Sequence, residues 1–193
     1  MMGREPLTRG AQIAVYVEKL RAWGELDRVL PRVDSATRAL MEHPPAASEW
    51  LPLRHNVDLF VAVDAILGPG RARALAYEAA RDGLTVHLRP IVGLALAAFG
   101  ASPATLFAHA ETFLRFSIRG QKLTYESWNA TSGALEIRVL GLQPPLPFFE
   151  AWAGIAAHAI ELCGTPAAVS VAHIEPRSED QVGTLHVAWA RSR

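Results

Sequence analysis

The sequence predicts an α+β domain in which an N-terminal helical layer packs on a four-stranded antiparallel sheet. Apolar residues recur at helical spacing through most of the first 120 positions. Short β-like runs follow in the order ββαββ. Half of the residues are hydrophobic and 20% are charged, which is typical of a folded globular protein.

One domain is the simplest organisation for a chain of 193 residues. We interpret residues 1–193 as a single domain with three parts. These are a helical preface over residues 1–45, a helical layer over 50–120 and the ββαββ sheet region over 121–190.

The N-terminal part is predicted to begin with short helices. Apolar spacing indicates an amphipathic helix over residues 11–23, and Asp34 is a suitable N-cap for a helix that ends near Met41. His43 is followed by two prolines, which disfavour helix, so residues 43–52 are interpreted as a connector.

The helical layer is predicted to contain three longer segments. They cover residues 53–67, 71–99 and 102–120, the second with a break near Pro90. Ser102 followed by Pro103 is typical of a helix start, because serine caps the free amide groups and proline fits the first turn.

The C-terminal part is predicted to contain two hairpins around one helix. The first hairpin joins residues 122–128 to 134–140, the helix covers 148–163, and the second hairpin joins 167–174 to 182–190.

Aromatic residues give the clearest indication of a ligand site. We predict that Phe99, Phe148, Trp152 and Ile155 line an apolar pocket between helices and sheet. The alternative is that these side chains simply fill the core.

Two histidines of the last hairpin are candidate metal ligands. An antiparallel pairing can bring His173 and His186 to one face, and Glu175 shares the face of His173. The alternative is an ordinary solvated strand face. Cys163 is the only cysteine, which disfavours cysteine-type zinc and excludes an intramolecular disulfide.

Recognised catalytic motifs are missing from the sequence. It has no phosphate-binding glycine loop, no Gly-x-Ser-x-Gly elbow and no His-Glu-x-x-His. Tyr125-Glu126-Ser127-Trp128-Asn129 resembles the Tyr-x-Ser-x-Arg clamp of nitric-oxide-sensing haem domains, but asparagine replaces the arginine. No histidine is placed convincingly as an axial ligand either, so we expect no cofactor, with haem disfavoured.

Charge and hydropathy bear on partners and location. The formal net charge is zero, so no overall attraction to nucleic acid is expected. The apolar run 91–99 is far shorter than the roughly 20 residues of a spanning helix, so we expect a cytoplasmic protein with no membrane span.

Several landmarks together resemble a known family. They are Thr8-Arg9-Gly10, Trp50-Leu51-Pro52, Leu67-Gly68, Ser102-Pro103, Glu161-Leu162-Cys163-Gly164 and a last strand ending in Trp189. In this order they resemble a family of about 200-residue proteins of unknown function from the Myxococcales. That family looks like the wider superfamily of four-vinyl-reductase domains, haem-nitric-oxide-binding domains and TRAPP subunits.

The resemblance implies helices packed on a twisted four-stranded sheet, often in a dimer, with an apolar pocket in some members. Three functions stay open. The first is a non-enzymatic sensory or regulatory domain that binds a small apolar ligand. The second is a homodimeric interaction module using the apolar segment 84–99, and the third is an enzyme or metal protein using His173 and His186.

Overall fold

The structure, a computed structural model, describes residues 5–84 and 102–190. Within these residues, helices lie against one face of a four-stranded antiparallel sheet, which confirms the predicted α+β class. Phe99 and most of the apolar segment 84–99 lie outside the described residues.

The helices are α1 (Gly10–Ala22), α2 (Leu26–Val29), α3 (Ser35–Glu42), α4 (Arg54–Leu67), α5 (Arg71–Ala79), α6 (Pro103–Ala108), α7 (Ala110–Leu114) and α8 (Leu146–Glu161). The strands are β1 (Leu7–Arg9), β2 (Trp50–Pro52), β3 (Ile118–Arg119), β4 (Gln121–Asn129), β5 (Ser132–Val139), β6 (Ala167–Arg177) and β7 (Asp180–Trp189). A 3-10 turn follows α2 at Leu30–Arg32, and a π-helical turn follows α5 at Ala80–Leu84.

The main sheet has the strand order β4-β5-β7-β6, with every neighbouring pair antiparallel. Its two hairpins meet along β5 and β7, where Leu135 lies opposite Leu185. Alternate residues of β5 are buried, including Leu135 and Ile137, so one face of this strand belongs to the core.

A second, smaller sheet of three strands was not expected. β1 pairs antiparallel with both β2 and β3, so the connector assigned to residues 43–52 ends in a strand. Strands of two or three residues have too little alternation to be recognised in a sequence. The guanidinium carbons of Arg9 and Arg119 lie 3.8 Å and 4.0 Å from the Trp50 ring centroid.

Helix α8 joins the helical layer to the sheet through two close glycine contacts. A Cβ atom on Gly183 of β7 would lie 2.1 Å from the Phe149 ring, so glycine is what lets that ring reach the sheet. A Cβ atom on Gly154 would lie 2.3 Å from the Arg73 carbonyl oxygen, so α8 touches the backbone of α5 there. These contacts place α8 between α5 and the sheet.

The helix starts at Asp34 and Ser102 were predicted correctly. The Asp34 carboxylate accepts the Thr37 N–H at 2.7 Å, and the Ser102 hydroxyl accepts the Thr105 N–H at 3.1 Å. The single helix expected from Ser102 toward Gly120 was wrong. Two short helices form instead, because the backbone of His109 leaves helical geometry at φ −109° and ψ 7°.

Candidate functional site

A cavity of about 150 Å³ lies between the helical layer and the inner face of the sheet. Helices α1, α4, α6, α7 and α8 contribute to its wall, together with strands β3, β4 and β5. Most of the wall is apolar, and its larger contributors include Leu53, Phe60, Leu106, Leu114, Leu123 and Leu135. The described lining residues include no aspartate, glutamate, lysine or arginine.

Three of the residues assigned to a pocket from the sequence lie in this wall. Phe148, Trp152 and Ile155 are on the side of α8 that faces the cavity. Phe148 and Trp152 are buried, and Ile155 is half-buried. Phe99, the fourth residue of that prediction, is outside the described residues.

Amide side chains from α1, α4 and β4 also line the cavity; Gln12 is half-buried, whereas Asn56 and Gln121 are buried. Asn56 Nδ2 donates to Gln12 Oε1 at 2.8 Å, and the Thr8 hydroxyl donates to the same oxygen at 2.6 Å. Asn56 Oδ1 and Gln121 Oε1 are buried and have no hydrogen-bond partner among the described residues. A buried acceptor without a partner costs about 1–3 kcal/mol, so these two oxygens are exceptional features of the wall.

The sequence carries a signal for these amides that our predictions missed. Asn56 stands three, four and seven residues before Leu59, Phe60 and Val63, which form the buried face of α4. Gln121 likewise precedes Leu123 on the inward side of β4. A polar residue at a core position of a clear pattern is therefore a candidate site residue.

His158 is the imidazole of the cavity wall. Burial lowers the pKa of His158, because a low-polarity surrounding disfavours the charged ring. Its ring centroid lies 5.8 Å from that of Tyr77, edge to face, and the Tyr77 hydroxyl donates to Glu161. Burial also raises the pKa of Tyr16, another residue of the wall. The imidazole of His158 and the phenol of Tyr16 are therefore uncharged at neutral pH.

The candidate metal ligands lie on the sheet, outside the cavity wall. His173 is opposite Thr184, with 3.3 Å between its Nε2 and the threonine hydroxyl, and the Glu175 carboxylate binds Arg177. His186 contacts the ring of Trp128 at a centroid distance of 4.7 Å. We found no group of three or more possible ligands in residues 5–84 and 102–190, and the metal site stays a hypothesis.

Comparison with solved structures identifies the fold. A Cs H-NOX mutant matches with a TM-score of 0.67 and 10% identity, over 95% of this chain and 97% of that chain. The Fe(II) unliganded H-NOX protein from K. algicida matches with a TM-score of 0.64 and 10% identity, over 95% and 97%. The chain shares its fold with the H-NOX proteins. Neither a protein-family model nor a curated protein matches the sequence.

The shared fold overturns the prediction against haem. One matched structure comes from a study of haem distortion in the H-NOX family, and another comes from a study of haem redox potential and porphyrin distortion. The prediction relied on Asn129 in place of an arginine and on the lack of a histidine placed as an axial ligand, and both arguments came from local sequence alone. Asn129 has a local role in the β4–β5 turn, where its Oδ1 accepts the Thr131 N–H at 2.9 Å, and this role carries no information about the cavity.

The homodimer stays a prediction. The homodimer relied on the apolar segment 84–99, most of which is outside the described residues. In the part of the chain that the structure describes, no helix has both the length and the apolar character needed to cross a bilayer.

Proposed function

We propose that this chain is a sensory domain that holds a small ligand in the cavity between its helical layer and its sheet. The observation that carries the proposal is a largely apolar cavity in a fold shared with H-NOX proteins. Cavities with apolar walls and a few polar groups are the usual form of a small-molecule site.

Haem is the ligand with the best support. An axial imidazole is the common protein ligand of haem iron, and burial keeps the His158 ring neutral, as a metal ligand must be. When bound, haem supplies an iron centre that can take a diatomic gas.

The size of the cavity sets a condition on haem binding. A cavity of about 150 Å³ in another protein accepts benzene, which is much smaller than a porphyrin. Haem therefore requires the walls of this cavity to move apart. We expect the short helices α6 and α7 to move first, because short helices have little stability of their own.

A sensory role also requires that ligand binding in the cavity change the structure elsewhere in the molecule. His158 provides a direct route, since its ring contacts Tyr77 and the Tyr77 hydroxyl binds Glu161. Tyr77 lies in the last turns of α5, just before the π-helical turn. π-Helical turns are frequent at functional sites, so we propose that a ligand shifts the end of α5.

Titration of the purified protein with haemin, followed by absorption spectroscopy, tests this function. We expect a sharp Soret band at one equivalent of haemin, and we expect His158→Ala to weaken haemin binding at least about tenfold. His43→Ala is the matched control, because His43 is exposed and is not among the lining residues of the cavity.

Two results would contradict the haem proposal. One is an absorption spectrum that remains identical to that of free haemin at every ratio of haemin to protein. The other is equal weakening by His158→Ala and His43→Ala, which would separate haemin binding from the cavity.

A further inference from the structure

We infer that the ion pair between Lys19 and Asp82 is a clamp that opposes the widening of the cavity by a ligand. It joins helix α1 to the π-helical turn Ala80–Leu84, and both elements contribute residues to the cavity wall. This inference rests on the proposed function, because it concerns how the same cavity opens. The clamped structure has the small cavity of about 150 Å³.

Each partner of the ion pair stands close in sequence to a residue of the wall. Lys19 follows Tyr16 by three residues on α1, so the two are neighbours on the surface of the helix. Asp82 follows Ala80 by two residues, and Ala80 is a wall residue that is 5% exposed. A movement that separates Tyr16 from Ala80 therefore stretches the contact between Lys19 Nζ and Asp82 Oδ2.

A second contact holds the same part of the molecule together. Trp23 Nε1 donates to Glu78 Oε2 at 3.1 Å, which joins the end of α1 to the end of α5. This contact lies before the π-helical turn, whereas the Lys19 contact lies inside it. The turn can therefore move relative to α1 when the ion pair breaks, while the end of α5 stays attached through Glu78.

Arg81 makes the break of the clamp less unfavourable. Asp82 Oδ1 accepts the Arg81 Nε–H at 2.8 Å, while Oδ2 accepts from Lys19. Arg81 and Asp82 belong to the same turn, so the carboxylate keeps one cation when the turn leaves α1. The Lys19 and Asp82 side chains are also 18% and 40% exposed, and exposed ion pairs contribute little to stability. The clamp therefore weakens ligand binding by a small factor and does not prevent it.

Haemin titration of the purified protein and its variants tests the clamp. We expect Lys19→Met and Asp82→Asn each to lower the haemin dissociation constant about threefold. The two substitutions change the net charge in opposite directions, so attraction to the haemin carboxylates cannot strengthen binding in both. The double variant should bind no more tightly than the single ones, since one ion pair is lost only once.

Arg28→Met is the matched control for the loss of a surface ion pair. Arg28 pairs with Glu25 three residues earlier in the chain, and neither residue lines the cavity. We expect no strengthening of haemin binding in this variant. A gain equal to that of Lys19→Met would overturn the clamp.

Amide hydrogen exchange without haemin gives an independent measurement. We expect residues 80–84 to exchange about threefold faster in Lys19→Met than in the wild type, and residues 54–67 to exchange at the same rate in both. Haemin constants that stay at the wild-type value, or that move in opposite directions in the two single variants, overturn the clamp and leave haemin binding intact. Wild-type protein that binds no haemin overturns the proposed function instead, and unchanged exchange of residues 80–84 then overturns the clamp as well.

Discussion

At the scale of single residues, two buried imidazoles link stability to pH. Burial lowers the pKa of His158, and burial together with the neighbouring Arg54 lowers the pKa of His55. Between these lowered values and the ordinary value of about 6.5, the unfolded chain binds more protons than the folded one. The free energy of unfolding therefore decreases as the pH falls below about 6.5.

We expect the free energy of unfolding, measured with urea, to decrease from pH 7 to pH 5. His55→Gln and His158→Gln should each reduce this decrease, whereas His43→Gln, at an exposed position, should not. The Asp34 carboxylate does not contribute in this range, because the hydrogen bond from the Thr37 N–H lowers its pKa. Equal free energies at the two pH values would contradict this prediction.

The buried polar residues of the cavity wall show how much of a site a sequence can reveal. The polar residues Asn56 and Gln121 stand at core positions of recognisable patterns, so their burial was predictable. Which atom of Asn56 is hydrogen-bonded depends on Gln12 and Thr8, which reach its Nδ2 from a distant part of the chain. That information exists only in three dimensions.

At the scale of elements, the close contact between α8 and α5 depends on the absence of a Cβ atom at Gly154. Helix propensity alone favours alanine over glycine by about 1 kcal/mol. At Gly154, a Cβ atom would lie 2.3 Å from the Arg73 carbonyl oxygen and 3.0 Å from the Tyr77 nitrogen. Both neighbours are backbone atoms, so the two helices would have to separate.

We expect Gly154→Ala to lower the free energy of unfolding by about 1–3 kcal/mol, the usual penalty for overpacking. Ala157→Gly, at a half-buried position of the same helix, should lower it by about 1 kcal/mol through propensity alone. Chemical denaturation measures both. A Gly154→Ala variant that is more stable than the wild type would show that the helices are not held in close contact.

Elements with long periodic patterns were predictable, and short ones were not. The spacing of apolar residues placed α1 and α4 to within one residue at each end. β1, β2 and β3 have three residues or fewer, and their pairing comes from contacts between distant parts of the chain. The break at His109 was also missed, because no proline or glycine marks it.

At the scale of the whole molecule, the cavity divides the buried face of α8 into two kinds of position. Ala156 is 2% exposed and lines the cavity, whereas Ala153 is fully buried and does not. A leucine at position 156 has room to extend into the cavity. A leucine at position 153 would meet closely packed atoms.

We expect Ala156→Leu to keep or raise the melting temperature and to weaken ligand binding at least about tenfold, because filling a cavity favours folding. Ala153→Leu should instead lower the free energy of unfolding by about 1–3 kcal/mol. Thermal unfolding with and without haemin measures both effects. Equal destabilisation by the two leucines would mean that the cavity offers no usable space.

The three-stranded sheet has a consequence for the order in which the chain acquires its structure. β1 is made early in synthesis, yet one of its partners is β3, which includes Ile118. Closing so long a loop is slow compared with forming a hairpin such as β6–β7, whose strands are neighbours. We therefore expect the wall beside Gln12 and Asn56 to be completed only after β3 has left the ribosome, so its apolar side chains stay exposed until then.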